Sequence, residues 1–145
     1  MRFMNRKFLS AALLVLTSCS MPPNQAMDVV NDFYGYQHAG NSDFPEDMFA
    51  SMEIALQARS VFNRREMIYG AYVSHNRIGA NRRFSIGENG KRETVTYICM
   101  VTGENGKTQE TLMLERRGAS ESFRITAYVI KDIPVFHEPL PGNSV

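Results

Sequence analysis

The sequence predicts an α+β domain, with three N-terminal helices packed on one face of a curved four-stranded antiparallel meander. Three observations carry this. Apolar residues recur at helical spacing from Ala26 to Ile78. Beyond Gly79 the period changes to two. The pentapeptide Gly-Glu-Asn-Gly-Lys occurs at 87–91 and again at 103–107, and Asn-Gly between strand-like runs is a strong hairpin signal.

The first helix is expected to open at Asn24, whose side chain suits a cap. Ala26, Val29, Val30, Phe33 and Tyr34 then form one stripe, with Asp28 and Asp32 opposite, until Gly40-Asn41 ends it. Pro45 fits the first position of a second, short helix, and Glu46 and Asp47 suit its positive end. Phe49, Met52 and Leu56 give that helix a thin apolar stripe to about Ala58. Asn63-Arg64-Arg65-Glu66 reads as a capping box opening a third helix. Met67, Ile68, Ala71, Tyr72, His75 and Ile78 would be its buried stripe and Gly79 its end.

Four strands follow, at 82–86, 92–102, 108–116 and 122–130. Two-residue turns centred on Asn89-Gly90 and Asn105-Gly106 would place Phe84 opposite Val95, Tyr97 opposite Leu114 and Cys99 opposite Leu112. Phe84, Val95, Tyr97, Cys99, Val101, Leu112 and Leu114 then share the face toward the helices. Phe123, Ile125, Ala127 and Val129 are expected to join them. The other face carries Thr94, Thr96, Ile98, Met100, Thr111, Met113 and Glu115, and is only half polar.

The ends of the chain have their own character. Arg2, Arg6 and Lys7 precede a short apolar run, Phe8 to Leu16, which is too short to span a bilayer and has the order of an export signal. Pro22-Pro23 reads as a stiff spacer. Beyond Lys131 the prolines 134, 139 and 141 forbid regular structure and leave an extended tail with apolar pegs at Val135, Phe136 and Leu140. The organisation read from the sequence is thus a signal segment at 1–18, a linker at 19–25, a folded domain at 26–132 and a Pro-rich tail at 133–145.

Composition excludes several functions. The formal charge of +1 includes the three signal cations, so the remainder lacks the basic excess of a nucleic-acid binder. The charge is unevenly spread: six acids and no Lys or Arg lie between Ser20 and Ala58, and eight cations against Glu66 and Glu88 lie between Arg59 and Arg92. His75 has no second His, Cys or acid at ligand spacing, so no metal is expected, and neither is a cofactor. No nucleophile elbow or phosphate loop is present, and no catalytic residue is assigned. Cys99, within a strand pattern, reads as a buried thiol.

Two resemblances extend this reading. Leu16-Thr17-Ser18-Cys19 resembles the lipobox of bacterial lipoproteins, which implies acylation of Cys19 and a membrane held through that lipid anchor. Ser20 after the cysteine favours the outer membrane, facing the periplasm. Asp28-Val29-Val30-Asn31-Asp32-Phe33-Tyr34 with its Gly-Asn break, the helix ending at Ile78-Gly79 and the closing Phe123-Arg124-Ile125-Thr126-Ala127-Tyr128 strand resemble the cystatin-like cone of the nuclear transport factor 2-like superfamily. That fold implies helices closing over a sheet and hosts isomerases, binders and assembly modules, so it assigns no activity. Two functions compete. One is a non-catalytic binding or assembly module of the cell envelope with an envelope protein partner, using Arg82, Arg83, Val135 and Phe136. The other is an isomerase-like or ligand-binding pocket around Tyr34, Tyr72, His75 and Tyr97, with Glu110 as the one inward acid the strand pattern allows. Arg77, Arg82, Arg83, Lys91 and Arg92 form a basic cluster that suits anionic lipid headgroups.

Overall fold

A computed structural model describes residues 14–18, 22–41 and 43–132. The architecture is α+β: two α-helices lie on one face of an antiparallel meander, whose order follows the sequence. Helix α1 is Asn24–His38 and helix α2 is Met52–Tyr69, with a 3-10 turn at Glu46–Met48 between them. The meander is β2 (Tyr72–Gly87), β3 (Gly90–Gly103), β4 (Gly106–Arg117) and β5 (Arg124–Ile130). A further strand, β1 (Leu14–Ser18), pairs antiparallel along the outer edge of β2. It falls in the segment read as an export signal, and its backbone takes up hydrogen-bonding positions that an edge strand otherwise leaves open.

The stripe expected for α1 is buried at Ala26, Val30, Phe33 and Tyr34, with Gln37 continuing it. Its cap differs from expectation. Asn24 is the first helical residue, and Pro23, which has no side-chain donor or acceptor, holds the cap position. The C-terminus is a Schellman closure: Gly40 at φ 67° lets its own N–H reach the Gln37 carbonyl and the Asn41 N–H reach Tyr36.

The second and third predicted helices are corrected. Pro45 opens only the 3-10 turn, and the chain then extends through Phe49, which bridges to Ile125. Ser51 caps α2, its hydroxyl accepting from the Ile54 N–H at 3.3 Å. The helix runs through Asn63 without a break, so the apparent capping box is interior. Its buried stripe is Ala55, Ala58, Val61, Phe62 and Arg65, while Met52, Leu56, Met67 and Ile68 are exposed. Gly70 at φ 75° ends it. The residues expected to form the third helix beyond Ala71 are instead the first half of β2, and Ile78 is exposed. The reason is pairing: β3 extends to Gly103, and a strand beginning at 82 would leave the second half of β3 without a partner on that side.

The turns also sit one residue earlier than expected. Gly87 pairs Gly90 and Gly103 pairs Gly106, so Glu88-Asn89 and Glu104-Asn105 are the turn centres. Among the described residues no non-glycine has positive φ, which excludes an Asn-Gly type I′ turn; Gly90 at φ 88° instead takes the left-handed place after the turn. Each register therefore slides by two: Arg82 faces Val95, Phe84 faces Glu93, Tyr97 faces Leu112 and Cys99 faces Glu110. A slip of two preserves the faces. Val95, Tyr97, Cys99, Val101, Leu112 and Leu114 are all buried against the helices, while Phe84 is half-buried. In β5 a bulge at Thr126 reverses the alternation. Phe123 and Ile125 point inward as expected, but Tyr128 and Ile130 replace Ala127 and Val129 in the core, and Val129 is exposed.

Candidate functional site

The inner face of the sheet holds a buried polar cluster where the helices cross β4 and β5. Glu110 lies opposite Cys99 on β3 and Ile130 on β5, in the inward series Thr108, Glu110, Leu112 and Leu114. It is completely buried. Its Oε2 accepts from the Tyr34 hydroxyl at 3.1 Å and from the Tyr128 hydroxyl at 2.9 Å. The Arg65 guanidinium, also buried, places Nε 3.8 Å from Glu110 Oε1, too far for a direct hydrogen bond. Arg65 packs its charge over the rings of Phe62 and Tyr72 at 5.3 and 5.7 Å. Gln37 of α1 completes the cluster, and its amide atoms, Arg65 Nε and Nη2, and Glu110 Oε1 make no direct hydrogen bond within the described residues.

Burial dominates the electrostatics here. Loss of hydration pushes the Glu110 carboxyl up to about 7, against the pull of Arg65 and of the two tyrosine donors. The same burial, together with the Glu110 charge, holds the Tyr34 and Tyr128 hydroxyls well above their ordinary range, so both are donors at neutral pH. Cys99, across the β3–β4 ladder, has its thiol raised to about 11 by desolvation and is buried, which makes it inert.

Toward the surface the cluster continues through aromatic rings. The Tyr34 ring stacks on His75 at 4.1 Å and on Tyr72 at 5.8 Å, and the Tyr72 hydroxyl meets His75 Nδ1 at 2.6 Å. His75 and Tyr72 are half-buried on β2, and burial lowers the imidazole below its ordinary value. The result is a row of groups from a buried carboxyl near neutrality to an imidazole at the rim. Such a row can hold or relay a proton, and the orphaned atoms of Gln37, Arg65 and Glu110 provide both donors and acceptors.

Of the residues singled out from the sequence, Tyr34, Tyr72 and His75 therefore meet. Tyr97 stands apart. It is fully buried, its hydroxyl has no partner, and the charges acting on it are Arg77, Arg82 and Asp28 rather than Arg65 and Glu110. Arg82 is not a free surface cation either. Its guanidinium turns inward to the buried Glu93, which Arg116 also holds at 2.8 Å. Arg83, one residue on, is exposed. Cys19, Val135 and Phe136 lie outside the described residues.

Arg65, Gln37 and Tyr128 were not singled out from the sequence. Arg65 and Gln37 lie on the buried stripes of their helices, and Tyr128 is turned inward by the bulge. Among the described residues no three His, Cys, Asp or Glu side chains converge as a metal site, and no helix is long and apolar enough to cross a membrane. No family model, no curated protein and no solved structure matches the chain.

Proposed function

We propose that this chain is a lipid-anchored protein of the bacterial envelope, acylated at Cys19 and facing the periplasm from the outer membrane, which works by contact as a non-catalytic binding or assembly module. The observation that carries this is the one-sided cover of the sheet. Both helices lie on the inner face, and among the described residues no element covers the other. There Ile98 and Met100 on β3 are half-exposed, and Met113 on β4 and Val129 on β5 are exposed. An apolar field of this kind on a sheet face suits a partner protein. The inner cluster supports the same reading, because Glu110 and Arg65 are enclosed and tied to the core. The export signal and lipobox resemblance supply the address, and helices on one face of an antiparallel meander are compatible with the cystatin-like resemblance.

The test is photo-crosslinking in intact cells from positions 113 and 129, with Cys19→Ala and Val129→Lys as controls. A single envelope protein, captured from both positions and lost in both controls, is the expected result. Capture from neither position at native expression refutes contact through this face.

A second reading, a pocket for a small ligand, rests on the unpartnered polar atoms around Glu110. Native mass spectrometry of the purified protein distinguishes it: a bound molecule released by Arg65→Met would move the function to the inner cluster.

A further inference from the structure

We infer that the basic end of the outer sheet face, built on Arg83, Arg92, Arg117 and Arg124, docks on anionic phospholipid headgroups and orients the domain on its membrane. The register brings these residues together. Arg83 pairs Thr94, Thr94 pairs Glu115 and Glu115 pairs Arg124, forming one row across four strands. Ser85, Arg92 and Arg117 form the next. All four arginines are exposed, and Glu115, shared by Arg92 at 3.3 Å and Arg117 at 3.8 Å, is the only carboxylate inside the two rows. Lys91, Glu88 and Glu121 border them, which leaves this end net positive. A cleft of about 530 Å³ opens beside the rows, lined by Arg116, Arg117 and Arg124 together with Glu115 and Glu121; Arg116 is held by Glu93 and Gln25, and Arg117 and Arg124 are exposed. Guanidinium forks in such a cleft match a phosphodiester, as in other phosphate sites.

The tether places this end at the bilayer. The inference takes its orientation from the Cys19 anchor proposed above. Only residues 19–23 separate that anchor from α1, a span of at most ~17 Å. The first turn of α1 is fixed to the basic end, since Gln25 accepts from Arg116 at 2.7 Å. A tether of that length keeps the basic end of the sheet near the membrane. The apolar field of Ile98, Met100 and Val129 lies further down the same strands and stays open to a protein.

The test uses the processed chain with Cys19→Ser, which keeps α1, α2 and β2–β5. Cosedimentation is measured with vesicles of phosphatidylcholine alone or mixed with phosphatidylglycerol. Binding is expected only to the mixed vesicles and should fall steeply with salt. Arg83→Glu/Arg124→Glu should weaken it roughly 100-fold, because two attractive charges become repulsive near an anionic surface. Arg83→Lys/Arg124→Lys should retain it. Absence of binding to the mixed vesicles, equal binding to both kinds, or an undiminished charge-reversed variant overturns the inference. The chain in this assay is not acylated, so the result stands or falls separately from the anchor, which the mass of the processed N-terminus in cells decides.

Discussion

The buried Glu110 makes the stability of the fold depend on pH in a direction opposite to that of most carboxylates. An ordinary salt-bridged acid titrates lower in the fold and stabilises it above its unfolded value. Here burial raises the folded group from 4.5 to about 7. The folded state therefore binds the proton more tightly than the unfolded chain. The contribution of Glu110 is most favourable below about pH 4.5, declines as pH rises toward 7, and is level above that. The difference corresponds to about 3 kcal/mol, with a steepest slope of about 1.4 kcal/mol per pH unit. The perturbation is Glu110→Gln, which keeps the shape and removes the titration. It also leaves the Arg65 charge unpaired, so an offset in stability is expected in addition. The readout is the difference in unfolding free energy between wild type and variant, from urea denaturation at several pH values between about 5 and 8. His75 titrates with the opposite sign: burial lowers it, so its contribution is present above its ordinary 6.5 and is lost as pH falls. Since it is common to both proteins, it cancels in the difference. A difference that stays flat within about 0.5 kcal/mol across that range would show that Glu110 is ionised throughout, and the account of the cluster would be wrong.

Further outcomes follow from the same geometry. Arg65→Met removes the cation facing Glu110 and should cost about 3–5 kcal/mol near neutral pH, and adding Glu110→Gln should recover much of the loss in a double-mutant cycle. Phe33 touches Tyr34, Phe44, Phe49 and Tyr128, so Phe33→Ala should cost about 3–5 kcal/mol in denaturation. Gly103→Ala would bring a Cβ to 2.4 Å from the Tyr69 carbonyl oxygen; because that atom is backbone, a loss of about 1–3 kcal/mol is expected. Cys99 should resist thiol reagents in the folded protein and react on unfolding, as its thiol is raised to about 11 and only 1% exposed.

The hairpin half of the fold was legible because its signals are local. The alternation of Val95, Tyr97, Cys99 and Val101 survives a turn displaced by one residue, since the register then moves by two and every side chain keeps its face. The helical half misled where a local pattern competed with a long-range one. Met67, Ile68, Ala71, Tyr72, His75 and Ile78 fit a helical stripe well. What turns residues 72–78 into a strand is the need of β3 for a partner along its second half, and nothing near residue 75 reports the length of a strand twenty residues away. The capping box at Asn63 failed for a related reason: Val61, Phe62 and Arg65 bury one continuous face, and tertiary packing outweighs a cap preference of about 1 kcal/mol.

The candidate site followed from the same two errors. Tyr34, Tyr72 and His75 meet as the sequence suggested, but Tyr72 and His75 come from a strand rather than a helix, which places them at the rim and not in the core. With the helix frame broken at Asn63, Arg65 enters only as an inner residue of the expected capping box, although it lies three residues beyond Phe62 on the face already defined by Ala55 and Ala58. Once that frame is continuous, a buried arginine demands a counter-charge, and Glu110 is the inward acid its helix can reach. Tyr128 needs one more step, the Thr126 bulge, which leaves no mark in a residue pattern that alternates equally well in either phase. The polar centre of this core is therefore set by three long-range events: the length of β3, the unbroken course of α2 and one extra residue in β5.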